Sequence, residues 1–203
     1  MKNNNVKCIC IYGASSAELD PRYTDSVYAL GRELAEKGYG LVFGGGDKGL
    51  MGAAARGVHD GGGYILGVAP SFFNVDGILY PECSEFIYTD TMRERKQIME
   101  ERSDAFIAVP GGLGTFEELF EMLTLKQLGR HEKAIVIYNA MGYYDPMMRM
   151  IEAAIDENFA KPACRRLYKL AETPEEAVAY IENYKPDGLS VSELKNIAID
   201  KEK

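Results

Sequence analysis

Residues 110–118, PGGLGTFEE, combine a glycine-rich turn with two carboxylates. A short apolar run of strand type precedes them, and a segment with helical spacing follows. Gly111, Gly112 and Gly114 allow a tight turn that brings several N–H groups close to a ligand, and the positive end of the helix dipole points to the same place. These residues predict a phosphate or anion cradle, with Glu118 one turn inside the helix.

Two interpretations of Glu118 stay open on this stretch alone. Thr115 and Glu118 fit the capping box, in which a threonine caps the helix and a glutamate three residues later reaches back to it. Local helix stability would then explain both residues. Alternatively, Glu118 has a chemical role, because a carboxylate beside an anion site is otherwise electrostatically unfavourable.

A second glycine-rich stretch, residues 44–52, has the sequence GGGDKGLMG and also lies between a predicted strand and a predicted helix. A third turn of small residues, Gly13 to Ser16, follows the first predicted strand. Glycine also serves plain turn geometry, but two long turns of this kind favour binding of an anion or a nucleotide. No Gly-Lys-Ser/Thr occurs, and the first turn lacks GxGxxG, which argues against kinases, P-loop NTPases and ordinary NAD-dependent enzymes.

Arg95 and Lys96 lie in the first two turns of a predicted helix that begins after Thr91. Cations there oppose the helix dipole, and stability alone would favour acidic residues, so the placement indicates a function. The alternative is a solvated charged face, since residues 93–102 contain many charges of both signs.

The elements that position these residues alternate along the chain. Six or seven short, largely apolar strands alternate with helices, which predicts a single-domain Rossmann-like α/β fold. Its sheet would be parallel and doubly wound, with helices on both faces and the glycine turns at the carboxyl ends of the strands. Residues 71–83 form a predicted loop over the site. The predicted nucleotide-binding domain spans residues 1–185, and residues 186–203 are a predicted polar tail or surface helix.

Composition limits the partners. The chain has 203 residues, 46% of them hydrophobic, and a net charge of −8. This charge argues against a broad nucleic-acid or anionic-membrane surface, because such partners are bound through many Lys and Arg side chains. Residues 1–13 contain an apolar run too short for a signal peptide, and no segment reaches the ~20 apolar residues that span a bilayer, so we expect a cytoplasmic protein. Four cysteines without metal-type spacing predict core packing and no metal site.

Four motifs occur together in this chain: GGGDKGLMG, MRERK, PGGLGTFEE, and Thr124 followed by Gln127-Leu128-Gly129. This set resembles the "lonely guy" family of cytokinin riboside 5′-monophosphate phosphoribohydrolases, formerly described as possible lysine decarboxylases. The resemblance runs from about residue 6 to about residue 184. It implies a homodimeric Rossmann-like enzyme that hydrolyses the N-glycosidic bond of a purine nucleoside 5′-monophosphate to free base and ribose 5-phosphate, without a metal or organic cofactor.

The resemblance also implies roles for individual residues. Arg95 and Glu118 correspond to the catalytic pair, and the glycine turn corresponds to the phosphate-binding segment. Arg93 and Leu125 depart from the usual His and Trp of plant-type members, which leaves the preferred base open. The predicted substrate- and phosphate-binding residues are Lys96, Gly111, Gly112, Leu113, Gly114, Thr115, Phe116, Glu117, Thr124, Gly45, Gly46 and Met51.

The chemistry of such a reaction fits these residue types. Cleavage of a ribosyl C–N bond builds positive charge on the sugar, so a carboxylate such as Glu118 can stabilise that charge and orient or deprotonate water. Arg95 would keep the carboxylate ionised. Two other functions stay open: a pyridoxal phosphate decarboxylase, which requires a Schiff-base lysine, and a non-catalytic carrier of a nucleotide or of molybdenum cofactor with the same fold.

Overall fold

A computed structural model describes residues 6–195 of the chain. The strands within this range form one seven-stranded sheet. All strand pairs are parallel and follow the order β4-β3-β2-β1-β5-β6-β7. The prediction of a doubly wound parallel sheet of six to seven strands is therefore confirmed, with seven strands present. The strands are β1 (Cys8–Tyr12), β2 (Gly40–Phe43), β3 (Ile65–Pro70), β4 (Glu85–Thr89), β5 (Ala105–Ala108), β6 (Ala134–Tyr138) and β7 (Lys169–Ala171).

Helices connect most successive strands, whereas β3 and β4 are joined by a loop with one 3₁₀ turn. Several helices begin where the sequence predicts a cap. Asp20, Thr91 and Thr173 each accept a hydrogen bond from a backbone N–H in the first helical turn. The α-helices are α1 (Pro21–Glu36), α2 (Gly49–Asp60), α3 (Met92–Glu101), α4 (Leu113–Gln127), α5 (Asp145–Asp156), α6 (Pro174–Asn183) and α7 (Val191–Leu194). Short 3₁₀ turns occupy Ser71–Phe73, Ala140–Gly142 and Pro162–Leu167.

Each face of the sheet has its own apolar core, because side chains along a strand alternate between the two faces. On one face, Ile9 and Ile11 of β1 pack with residues of α1, α2 and α6. On the other, Cys10 and Tyr12 pack with residues of α3 and α4 and with the segment around Cys164. Helices thus cover both faces, and the central strands are buried on both sides.

The chain reverses its direction of winding at the centre of the sheet. Strands β1 to β4 extend to one side of β1, and β5 then crosses to the other side and pairs with β1. In open α/β sheets, ligands bind outside the carboxyl ends of the strands at such a switch point. The turns after β1 and β5 are neighbours there, with the backbone N–H of Ala14 donating to the carbonyl of Pro110 over 3.1 Å.

The polar segment after residue 185 packs against the domain within the described residues. Leu194 is buried, and its carbonyl accepts a hydrogen bond from Gln127 Nε2 over 3.1 Å. Residues 196–203 of the predicted tail lie outside the described residues. Within residues 6–195, none of the helices combines the length and the apolar character needed to cross a bilayer.

Candidate active site

A cleft of about 560 Å³ opens at the carboxyl ends of β1, β2 and β5. Its size lies within the range of small-molecule sites. Three glycine-containing turns, the start of α3, the start of α4 and part of the loop over residues 71–83 contribute to it. The lining residues are Gly13, Ala14, Ser15, Gly44, Gly46, Lys48, Met51, Phe73, Gly77, Ile78, Leu79, Met92, Arg95, Gly112, Leu113, Gly114, Thr115, Glu117 and Glu118.

The amino end of α4 faces this cleft without a capping side chain. Gly112 is the N-cap, and its carbonyl accepts the N–H of Phe116. The N–H groups of Leu113, Gly114 and Thr115 have no acceptor within residues 6–195. Free N–H groups and the positive end of the dipole together form an anion-binding site. This geometry suits the predicted phosphate cradle.

The capping-box interpretation of Thr115 and Glu118 is wrong. Helix α4 begins at Leu113, so Thr115 is already the third helical residue and cannot cap it. Glycine at the N-cap position allows the helix to start three residues earlier than the threonine suggested. Glu118 therefore lies beyond the cap, where helix stability does not require its carboxylate.

At the amino end of α2, by contrast, backbone N–H groups are already hydrogen-bonded within the protein. The N–H groups of Leu50 and Met51 both donate to the carbonyl of Ala14, over 2.8 and 3.3 Å. Gly49 adopts a φ of +63°, and a side chain there would collide with the carbonyl of Ala14, so this close contact requires glycine. Of the two glycine-rich turns, only the one before α4 presents several free helical N–H groups to the cleft.

Arg95 and Glu118 form a buried ion pair in the wall of the cleft. Arg95 Nη1 lies 3.1 Å from Glu118 Oε1, and the residues are 7% and 9% exposed. Arg95 Nε also donates to the carbonyl of Val68 over 3.1 Å, which fixes the plane of the guanidinium. Within residues 6–195, Arg95 Nη2 and Glu118 Oε2 have no hydrogen-bond partner, so each can contact a ligand.

Burial and the charge of Arg95 shift the pKa of the Glu118 carboxyl in opposite directions. Burial raises the pKa of the Glu118 carboxyl above its usual value of 4.5, and the neighbouring Arg95 charge and hydrogen bond partly lower the pKa again. A carboxylate that is desolvated but held by a cation is typical of a catalytic base or charge stabiliser. The pair can therefore present a negative charge to a reacting centre in the cleft.

Gly44 makes room for the guanidinium. A Cβ atom at this position would lie 2.0 Å from Arg95 Nη2, well inside the contact distance. We expect Gly44→Ala to displace the guanidinium and to lower turnover about 10- to 100-fold, because small misplacements of reacting groups are costly. Steady-state kinetics with a thermal unfolding scan would test this: a stable fold with normal turnover would contradict it.

The structure brings most predicted site residues together, but not all. Lys96 pairs with Glu117, and its Nζ lies 3.0 Å from Glu121 Oε2, off the hydrogen-bonding direction. Lys96 does not line the cleft. Thr124 lines a separate apolar groove between α4 and α5. The predicted residues that line the cleft are Arg95, Gly112, Leu113, Gly114, Thr115, Glu117, Glu118, Gly46 and Met51, and those that do not are Lys96, Gly111, Phe116, Thr124 and Gly45.

Some lining residues were not predicted individually. Phe73, Ile78 and Leu79 come from the loop that was predicted to lie over the site, but its lack of periodicity gave no indication of which side chains face inward. The loop is tied to the second glycine turn, because the N–H of Tyr80 donates to the carbonyl of Gly45 over 2.8 Å. Among the described residues, no cluster of three or more His, Cys, Asp or Glu side chains has an arrangement that would hold a metal ion.

Fold and site define the chain as a Rossmann-like α/β protein with a buried arginine–glutamate pair at its switch point. A family model described as "Possible lysine decarboxylase" matches residues 51–181. The chain is 40% identical over 181 residues to a cytokinin riboside 5′-monophosphate phosphoribohydrolase of Arabidopsis thaliana, covering 89% of this chain and 83% of the relative. A probable enzyme of the same name from Oryza sativa is 39% identical over 178 residues, with coverages of 88% and 73%. The chain belongs to this phosphoribohydrolase family.

Solved structures with the same fold include a molybdenum cofactor binding protein from Rippkaea orientalis. Its TM-score is 0.69 at 22% identity, with 89% of this chain and 98% of that chain covered. A molybdenum cofactor carrier protein from Chlamydomonas reinhardtii has a TM-score of 0.66 at 23% identity, with 88% and 96% covered. At these identities the likeness supports the Rossmann-like fold and nothing about ligands.

Proposed function

We propose that this protein hydrolyses the N-glycosidic bond of a purine nucleoside 5′-monophosphate, releasing the free base and ribose 5-phosphate. The observation that carries the proposal is the buried Arg95–Glu118 pair in the same cleft as the free N–H groups of α4. The free N–H groups at the start of α4 suit a phosphate, and Glu118, about one turn further along the same helix, offers a carboxylate to a reacting sugar. Membership of the phosphoribohydrolase family supports the same reaction.

In this proposal the phosphate binds first to the amino end of α4. Binding energy from this remote group orients the ribose and the bond to be broken. As the C–N bond breaks, its electron pair leaves with the base and positive charge develops on the ribose ring. Glu118 stabilises that charge and orients a water molecule for attack on the anomeric carbon. The water supplies the hydroxyl of ribose 5-phosphate and the proton that balances the released base.

Arg95 keeps Glu118 in its active form. Its positive charge counters the effect of burial on the pKa of the carboxyl, so that Glu118 is ionised when substrate binds. The free Nη2 of Arg95 is available to a ribose hydroxyl. Roles of this kind need no metal or organic cofactor.

The base would lie against the apolar part of the cleft. Phe73, Ile78 and Leu79 of the loop and Met51 and Met92 of the helices contribute this wall. An apolar wall binds purine rings and alkyl-substituted purines through burial of apolar surface.

The proposed function is tested by following release of free base from AMP and, separately, from isopentenyladenosine 5′-monophosphate by chromatography. Release of base from either nucleotide supports the proposal, and the faster of the two identifies the preferred base. Release from neither would contradict it. Recovery of a bound nucleotide or phosphorylated pterin that remains chemically unchanged would instead favour a carrier of the same fold.

We also propose that the protein is a homodimer with the apolar groove between α4 and α5 at its interface. Phe120, Leu123 and Thr124 of α4 line this groove together with Met150, whose exposed fraction is 57%. Thr124 lies there and not in the cleft, so a contact between Thr124 and substrate requires a second copy. Such an exposed apolar groove is typical of an interface.

The homodimer proposal predicts a solution mass of twice the 22.5 kDa of one chain. We expect Met150→Glu to reduce this mass to that of a monomer, since it places a charge in the interface. Met141→Glu is a matched control, because Met141 is 48% exposed and does not line the groove. Light scattering after size exclusion measures both. A monomeric wild type at micromolar concentration would contradict the proposal.

A further inference from the structure

The turn between β5 and α4 is held by hydrogen bonds to its carbonyl groups. The carbonyl of Pro110 accepts the N–H of Ala14, and the carbonyl of Gly112 accepts the N–H of Phe116. The two remaining carbonyls of residues 109–112 are held by side chains. Tyr144 donates its hydroxyl to the carbonyl of Val109 over 2.8 Å, and Tyr143 donates its hydroxyl to the carbonyl of Gly111 over 2.5 Å.

Both tyrosines come from the turn after β6, which is itself well fixed. Met141 and Gly142 adopt φ values of 51° and 71°, which turn the chain sharply before the tyrosines. Asn139 Oδ1 accepts the N–H of Tyr144 over 2.7 Å, and Asn139 Nδ2 donates to Asp145 over 2.8 Å. The hydroxyls therefore project from a defined backbone toward the β5–α4 turn.

The two tyrosines have different surroundings. Tyr144 is 1% exposed and packs edge-on against Phe116 of α4, with ring centroids 6.3 Å apart. Removal of its hydroxyl would leave the buried carbonyl of Val109 without a partner, so Tyr144 contributes mainly to stability. Tyr143 is 36% exposed and bonds a carbonyl directly before the anion-binding residues. Its hydroxyl can be removed with a smaller effect on folding.

The bond from Tyr143 determines the direction of one N–H group. In a trans peptide the C=O of one residue and the N–H of the next point in opposite directions. Because Tyr143 holds the carbonyl of Gly111 on one side of the turn, the N–H of Gly112 points to the other side. Gly112 lines the cleft there, next to the free N–H groups of α4.

We infer that Tyr143 is a positioning residue that fixes the Gly111–Gly112 peptide so that the Gly112 N–H binds the 5′-phosphate of the substrate. This inference rests on the proposed function. Tyr143 does not line the cleft and acts through the peptide that it holds. The inference assigns a function to an aromatic residue outside the four sequence motifs.

The inference predicts a selective loss of phosphate binding in Tyr143→Phe. We expect KM for the nucleoside monophosphate to rise about tenfold, which corresponds to ~1.4 kcal/mol, while kcat changes less than about threefold, because Arg95 and Glu118 are untouched. Calorimetry should show about tenfold weaker binding of ribose 5-phosphate and unchanged binding of adenine. A merely structural defect would weaken both ligands alike.

Tyr138→Phe is the matched control. Tyr138 is a buried tyrosine at the end of β6, and the same substitution removes its hydroxyl. That hydroxyl bonds Ser26 of α1 over 2.6 Å and does not contact the β5–α4 turn. We expect its affinity for ribose 5-phosphate to equal that of the wild type.

Calorimetry also separates this inference from the proposed function, because it does not need turnover. Selective loss of ribose 5-phosphate affinity in Tyr143→Phe supports the inference even if the wild type releases no base. Equal affinities of variant and wild type for ribose 5-phosphate would overturn the inference. Equal losses of affinity for ribose 5-phosphate and for adenine would also overturn it. So would a wild type that binds no ribose 5-phosphate.

Discussion

Glu118→Gln is expected to lower kcat about 100- to 10,000-fold, the range that a positioned acid or base contributes. Glutamine has nearly the same shape and can accept the hydrogen bond from Arg95 Nη1, but it cannot stabilise positive charge on the ribose ring. Since α4 starts at Leu113 with Gly112 as its N-cap, and is not capped by Glu118, the substitution removes no helix cap. The substitution does leave the Arg95 charge buried without its anion, so the variant should also unfold at a lower temperature. Base release measured at a temperature where a thermal unfolding scan shows the variant to be folded isolates the loss of turnover.

A second ion pair provides the control for Glu118→Gln. Glu85 and Arg102 are 3.0 Å apart at the start of β4, at the opposite end of the sheet from the cleft. Glu85→Gln removes a paired carboxylate in the same way, and turnover should stay within about twofold of the wild type. Near-normal base release by Glu118→Gln would refute its role in the chemistry, whatever the control shows.

Arg95→Gln is expected to lower kcat about 100- to 1,000-fold, as does the loss of a preorganised electrostatic partner in other enzymes. It also leaves the Glu118 charge buried without its cation. Loss of one partner of a buried pair costs about 3–5 kcal/mol of unfolding free energy, so the variant should unfold at a lower temperature. Arg102→Gln is the matched control, because the Arg102–Glu85 pair is more exposed and distant from the cleft.

Arg95→Gln should also change the pH dependence of kcat/KM. The proposed mechanism requires ionised Glu118, so kcat/KM should fall as pH drops through the pKa of this carboxyl, which burial raises above its usual value of 4.5. Arg95 lowers that pKa, and its removal must raise it. The acidic limb of the kcat/KM profile in Arg95→Gln should therefore move to higher pH. An unchanged limb would show that Glu118 is not the group that titrates.

The sequence predicted the fold well because its signals are local. Apolar strands alternate regularly with helices that carry caps such as Thr91 and Thr173, and this pattern defines a parallel doubly wound sheet. The start of α4 was predicted wrongly, because Thr115 is a better cap than glycine by residue type. The threonine instead packs against Gly111, a contact that no sequence pattern expresses.

The site was predicted less completely than the fold because it depends on contacts between distant segments. The Arg95–Glu118 contact joins two helices, and a sequence shows such residues only as charges at unusual helix positions. The hydrogen bonds from the start of α2 to Ala14 and from Tyr143 to Gly111 depend on the relative placement of four strands. No local spacing encodes such contacts.

Because N–H groups at the amino end of α2 are already hydrogen-bonded within the protein, the cleft should select nucleotides by their number of phosphoryl groups. A nucleoside triphosphate or a dinucleotide carries further phosphoryl groups that need their own N–H donors or cations. Because the carbonyl of Ala14 already takes the N–H groups of Leu50 and Met51, one helix terminus is left to receive a single phosphoryl group. The cleft should therefore discriminate against ATP and NAD and act on monophosphates in their presence, without competition from the energy and redox carriers of the cell.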